Sequence, residues 1–83
     1  MAFIYLLKSV NYPKTYVGST DRTPTERLNE HNKGYSTFSN KYKPWKLIYY
    51  EEHGSLREAR LREKYLKSAA GRKFIKKNNI VRE

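Results

Sequence analysis

The sequence predicts an α+β domain with its elements in the order β-β-α-β-α-α. Three observations carry that prediction. Two short apolar and aromatic runs, at residues 3–7 and 15–19, are separated by a stretch with Asn11 and Pro13, the pattern of a hairpin. A helical segment with clear start and stop signals follows. A third aromatic run, at residues 45–51, then leads into a long, basic stretch of helical periodicity.

In the first strand Phe3, Tyr5 and Leu7 share one face, while Ile4 and Leu6 share the other. Both faces are apolar, so this strand is expected to be covered on both sides. In the second, Tyr16 and Gly18 share a face and Val17 points away. The first helix starts at Thr23, an N-cap followed by Pro24 and by Glu26, which completes a capping box. It is expected to end near Lys33, with Gly34 as its stop. Residues 35–44 are rich in Ser, Lys, Asn and Tyr and read as an exposed basic loop. The third strand places Trp45, Leu47 and Tyr49 on one face. Gly54 and Ser55 break it, and Ser55 can cap the next helix.

That helix is expected over residues 56–70, with Gly71 as its stop. Ala59, Leu61, Tyr65, Leu66, Ala69 and Ala70 form its apolar arc. Arg57, Arg60, Lys64 and Lys67 gather opposite, and Glu63 sits at the apolar edge. Arg62 falls within the arc, with Glu58 four residues earlier as its expected ion partner. Residues 72–79 read as a short basic helix anchored by Phe74 and Ile75.

The chain has 83 residues and reads as one domain with one core. It has no Cys, so disulfides and thiolate metal sites are excluded. Its longest apolar run is far too short to span a membrane. The N-terminus shows no signal-type pattern, and a cytoplasmic location is expected. Eighteen Lys and Arg against eight Asp and Glu give a formal charge of +10, for which nucleic acid is the default partner. No helix carries a free bulky apolar face for an anionic membrane.

Several residues can carry chemistry on a phosphodiester. Phenols at Tyr5 and Tyr16 can handle a proton or position water. Gly18 weakens a strand unless something must approach its backbone closely. Arg27 and His31 lie one helical turn apart, offering a phosphate fork and an imidazole that titrates near neutrality. Glu63 is the sharpest single residue. It is either a solvated partner of Lys67 or a ligand for one hard cation, of the kind Mg2+ takes when waters and phosphate oxygens complete the shell. The basic arc of Arg57, Arg60, Lys64 and Lys67, with Lys41, Lys43, Arg72, Lys73, Lys76 and Lys77, suits a nucleic-acid backbone track.

Phe3-Ile4-Tyr5 and Tyr16-Val17-Gly18, followed by Arg27-Leu28, His31-Asn32, the run from Trp45 to Glu52, Ala59 and Arg62-Glu63-Lys64, resemble the GIY-YIG nuclease superfamily. The resemblance is to its small stand-alone bacterial members and covers nearly the whole chain. It departs in Phe3 for the first-signature Gly and in Val17 for Ile. It implies a three-stranded antiparallel sheet flanked by helices, and an endonuclease dependent on Mg2+ or Mn2+ acting on DNA, with RNA also open. Tyr5 and Tyr16 would position or deprotonate the attacking water, and Gly18 would leave room beside the strand. Arg27 would hold the scissile phosphate, His31 would assist proton transfer and Glu63 would bind the metal. These groups are expected to meet in one cleft. Without the extra DNA-binding domains of family homing and repair nucleases, targeting is expected to rest on this domain, on a homo-oligomer or on an additional DNA-targeting protein. The alternative is a basic module of the same fold that grips nucleic acid and cuts nothing.

Overall fold

The computed structural model describes residues 1–34, 36–78 and 80. Strands β1 (Ala2–Ser9) and β2 (Thr15–Thr20) form the hairpin. Helices α1 (Pro24–Asn32) and α2 (Thr37–Tyr42) follow, then β3 (Trp45–His53), α3 (Leu56–Leu66) and α4 (Ala69–Lys77). The sheet is antiparallel with order β2-β1-β3, so the most apolar strand is central and β2 and β3 are both edges. The register pairs Tyr5 with Gly18 and Leu6 with Val17 on one side of β1, and Tyr5 with Tyr50 on the other. An irregularity between Leu6 and Leu7 shifts the pairing with β3.

The alternation of β1 gives the sheet two covered faces. On one, Ala2 and Ile4 pack with Ala59 and Leu66 of α3, joined by Val17, Tyr49, Leu56, Phe74 and Ile75. On the other, Tyr5, Leu7 and Trp45 pack with Tyr16, Leu28, Tyr42 and Leu47. Thus α3 and α4 cover one face, and α1 and α2 cover the other. Ile4, Tyr5, Leu6 and Leu7 are all essentially sealed from solvent, as a two-faced central strand requires.

The caps form as the sequence dictates. Thr23 and Glu26 complete the capping box of α1, and Ser55 caps α3 through the Glu58 amide. Five expectations are corrected. Residues 35–44 are not simply a loop: Ser36 caps α2, and the Trp45 indole N–H donates to the Ser39 carbonyl at 3.1 Å. Six residues cannot hold a helix alone, so tertiary contacts do it, and composition does not reveal them.

The long helix stops at Leu66 rather than residue 70, because Ser68 caps α4 through the Gly71 amide. Gly71 lies inside α4 instead of ending α3. A Cβ there would stand 2.1 Å from the Tyr65 carbonyl oxygen and 2.4 Å from the Leu66 Cα, so the glycine is what lets α4 fold back onto α3. Leu61 and Tyr65 are exposed, at 62% and 40%, because the buried ridge of α3 runs through Ala59 and Leu66.

Finally, Arg62 pairs with Glu51 of β3 rather than Glu58. Its Nε and Nη2 donate to the two carboxylate oxygens at 2.9 and 3.0 Å. Burial pushes the Glu51 carboxyl up, but hydrogen bonds from Arg62, Tyr49 and His53 outweigh it and hold it below its ordinary value. Glu58 instead accepts from the Gly54 amide at 3.3 Å.

Candidate active site

Four of the expected residues meet on the α1/α2 face. β1 carries Tyr5 inward beneath α1, and β2 carries Tyr16 and Gly18 on the same side. One turn of α1 aligns Arg27 and His31 above them. The Arg27 Nε donates to the Tyr5 hydroxyl at 3.4 Å. The same hydroxyl lies 3.2 Å from His31 Nε2, and the His31 Nδ1 lies 2.5 Å from the Ser39 hydroxyl. The Tyr16 ring packs on the imidazole with centroids 4.5 Å apart. Glu30 holds Arg27 Nη1 and also pairs with Arg22.

The network fixes the protonation states. Tyr5 is fully buried, and burial pushes its phenol up to about 12 against the hydrogen bond from Arg27. It therefore keeps its proton at neutral pH. Having accepted from Arg27, it donates to His31 Nε2, which leaves Nδ1–H to donate to Ser39. Burial, reinforced by the nearby Arg27 charge, lowers His31 to about 4, so it is neutral at pH 7. This corrects the expectation of an imidazole titrating near neutrality. Sealed from solvent, His31 orders the cluster rather than exchanging protons with bulk water. Tyr16 and Arg27 are only partly buried and are the members that a substrate can touch.

Gly18 is needed for contact reasons. A Cβ there would lie 2.5 Å from the Tyr5 hydroxyl oxygen and 2.9 Å from the Tyr16 ring. The close approach that the sequence suggested is thus to the two phenols themselves.

Glu63 does not join this cluster. Strand alternation turns Ser19 to the face opposite Gly18, and the Ser19 hydroxyl donates to Glu63 Oε1 at 2.6 Å. Lys67 Nζ donates to Oε2 at 2.7 Å. Glu63, half-buried, therefore stands on the α3 side of the sheet, and the expectation of one cleft on one face is corrected. It lines a shallow groove of about 450 Å³ with Ser19, Arg60, Lys64 and Lys67. Arg57, exposed on the same helix, does not line it.

Because β2 is an edge strand, the two half-sites are close neighbours along the chain. Gly18 and Ser19 are adjacent residues facing opposite ways at the same free edge. Among the described residues there is no group of three or more His, Cys, Asp or Glu that could cage a metal. The donor set that exists is one half-buried carboxylate beside a hydroxyl, already facing the Lys67 ammonium. That fits Mg2+, which takes few protein oxygens, and not Zn2+ or Ca2+.

Sequence reasoning missed Ser19, Ser39 and Glu30. Ser19 was legible in principle, since it follows Gly18 on an edge strand. Ser39 was hidden in a segment that composition assigns to a loop.

Two phenols under an arginine and a histidine are groups suited to chemistry on a phosphodiester. The GIY-YIG catalytic domain matches residues 1–79, so the chain belongs to the GIY-YIG family, a nuclease superfamily. No curated protein and no solved structure matches it.

Proposed function

We propose that this protein is a metal-dependent endonuclease that hydrolyses phosphodiester bonds in DNA, working across the free edge of β2. The observation that supports this most is the convergence of Tyr5, Tyr16, Arg27 and His31; Glu63 is tied to Ser19, the residue after Gly18, on the other face of β2. A single Mg2+ or Mn2+ held by Glu63 would polarise a phosphoryl oxygen and neutralise the leaving oxyanion.

The chain's own residues do the rest. Arg27, kept in place by Tyr5 and Glu30, presents its guanidinium to the phosphate oxygens. Tyr16 positions the attacking water. Tyr5 and His31 are positioning residues, holding Arg27 and the Tyr16 ring in fixed geometry. Arg60, Lys64 and Lys67 grip the neighbouring backbone, and Lys67 releases the Glu63 carboxylate as the substrate arrives. A cytoplasmic location and a targeting partner, or self-association, complete the reading.

The test is incubation of the protein with supercoiled, duplex, branched and single-stranded DNA in Mg2+, Mn2+ or EDTA. Cleavage in either metal that stops in EDTA, and stops in Tyr16→Phe and Arg27→Ala, is expected. Intact DNA throughout, with binding retained, would sink the nuclease reading. One observation favours that second outcome, a non-catalytic basic module: both Glu63 oxygens are already satisfied by Ser19 and Lys67.

A further inference from the structure

A row of aromatic rings leaves the Tyr16 end of the cluster and runs out to the surface. Tyr16 meets Phe38 at 6.3 Å between centroids, Phe38 meets Tyr42 at 5.0 Å, and Tyr42 meets Tyr12 at 5.3 Å. The row is exposed where a core would be closed. Phe38 is 39% and Tyr12 46% accessible. It is also rigid. Buried Trp45 backs Phe38 at 5.6 Å and holds the Ser39 carbonyl with its indole. Ser9 donates to the Tyr42 carbonyl at 2.6 Å, and the Val10 amide donates to the Pro44 carbonyl at 2.9 Å. The middle and the C-terminal end of α2 are therefore tied down.

Two lysines complete the surface. Lys14 and Lys41 each place Nζ 5.4 Å from the centre of the Tyr42 ring. Neither has a carboxylate partner among the described residues. Each ammonium is held near an aromatic ring rather than by a carboxylate, which leaves its charge available to an arriving anion. Exposed rings interleaved with unpaired ammonium groups match one chemistry: a phosphate backbone whose bases are free to stack. A duplex hides its base faces and offers this surface only phosphates, whereas an unpaired strand offers both.

We propose that Phe38, Tyr42 and Tyr12 form a stacking ledge for unpaired bases of a single DNA strand, with Lys14 and Lys41 on its phosphates, leading that strand to Tyr16 and Arg27. The proposal rests on the nuclease reading for the fate of the strand but not for its binding. It defines the substrate as single-stranded DNA, or DNA with an unpaired segment at the cleavage point.

The experiment is fluorescence anisotropy in EDTA at one fixed salt concentration. The probes are a short DNA strand, an abasic strand of equal length and charge, the corresponding blunt duplex and the RNA strand. The unmodified protein is expected to bind the DNA strand about tenfold more tightly than the abasic one. Phe38→Leu should bring the DNA strand close to the abasic level, and Phe38→Trp should restore it. Duplex binding should be the same for all three proteins. Equal affinity of the unmodified protein for DNA and abasic strands overturns the ledge, and this arm needs no variant to fold. Tighter binding of RNA than of DNA overturns the assignment to DNA. Because EDTA removes cleavage from the readout, a protein that passes here yet never cuts in Mg2+ loses only the nuclease reading. One that cuts but ignores the bases loses only the ledge.

Discussion

The two faces of the sheet solve different problems with the same strand. Under α3 and α4, β1 contributes Ala2 and Ile4 to an apolar contact with Ala59 and Leu66, and charge is kept to the rim. Under α1 and α2 it contributes Tyr5, whose hydroxyl is fully buried and linked to Arg27 and His31. The first face is held by packing. The second is held by directed hydrogen bonds that leave buried polar groups satisfied, an arrangement that fails sharply when one member is removed. The difference teaches what each face is made for: one anchors the domain and carries Glu63 at its rim, while the other holds an ordered polar network.

The largest expected effect asks whether both faces serve one reaction. Glu63→Gln keeps the side chain's size and removes its charge. Cleavage should fall by about a thousandfold, near 4 kcal/mol of barrier, while DNA affinity measured in EDTA stays level or rises slightly. Cleavage at the unmodified rate would confine the chemistry to the Tyr16 face.

The next effects set packing against polar order. Gly71→Ala drives a methyl into the backbone of α3 and should lower stability by about 3 kcal/mol, read as a drop in the urea midpoint. Gly18→Ala drives one into the Tyr5 phenol and should lower stability by about 1–3 kcal/mol and also stop cleavage at temperatures where the protein remains folded. Cleavage that survives Gly18→Ala would show that the Tyr5 network is not needed for activity.

A pH series probes the polar face through His31. His31 is held at about 4 when folded and has an ordinary value of 6.5 when unfolded, so between these values the unfolded chain binds more protons. Its contribution is complete above about pH 6.5 and is lost as pH falls toward 4, by up to about 3 kcal/mol. Stability measured by urea at intervals across this window should decline, and His31→Gln should flatten the decline.

The smallest effect is on the packing face. Arg62→Ala leaves Glu51 without its two-pronged partner on a part-exposed surface and should lower stability by about 1–2 kcal/mol. Cleavage by the folded variant should be unchanged. A loss of activity at full folding would give Arg62 a role beyond tying α3 to β3.

Much of the fold was legible in the sequence, because the signals were local or periodic. The two-faced apolar run of β1 and the capping box at Thr23 are read directly from neighbouring residues. What escaped depends on distant contacts. α2 exists because Trp45 and Ser9 hold it, and α4 begins early because Gly71 can touch Tyr65. The site divided in the same way. Strand and helix periodicity paired Tyr16 with Gly18 and Arg27 with His31, and the resemblance to the GIY-YIG superfamily set both pairs beside Tyr5. The side of the sheet on which Glu63 stands depended on its tie to Ser19. The proton affinity of His31 depended on a depth of burial that one short helix does not reveal.

The pairing of Arg27 with Glu30, together with a neutral His31, leaves the polar cluster nearly uncharged in a molecule of net charge +10. The far-reaching field therefore originates in the outlying lysines and arginines, not in the cluster. On the proposed reading, capture and turnover draw on separate sets of residues. Added salt should slow the arrival of substrate through screening of the outer charges. At saturating DNA the turnover should hardly change, because the hydrogen bonds around buried Tyr5 lie out of reach of mobile ions.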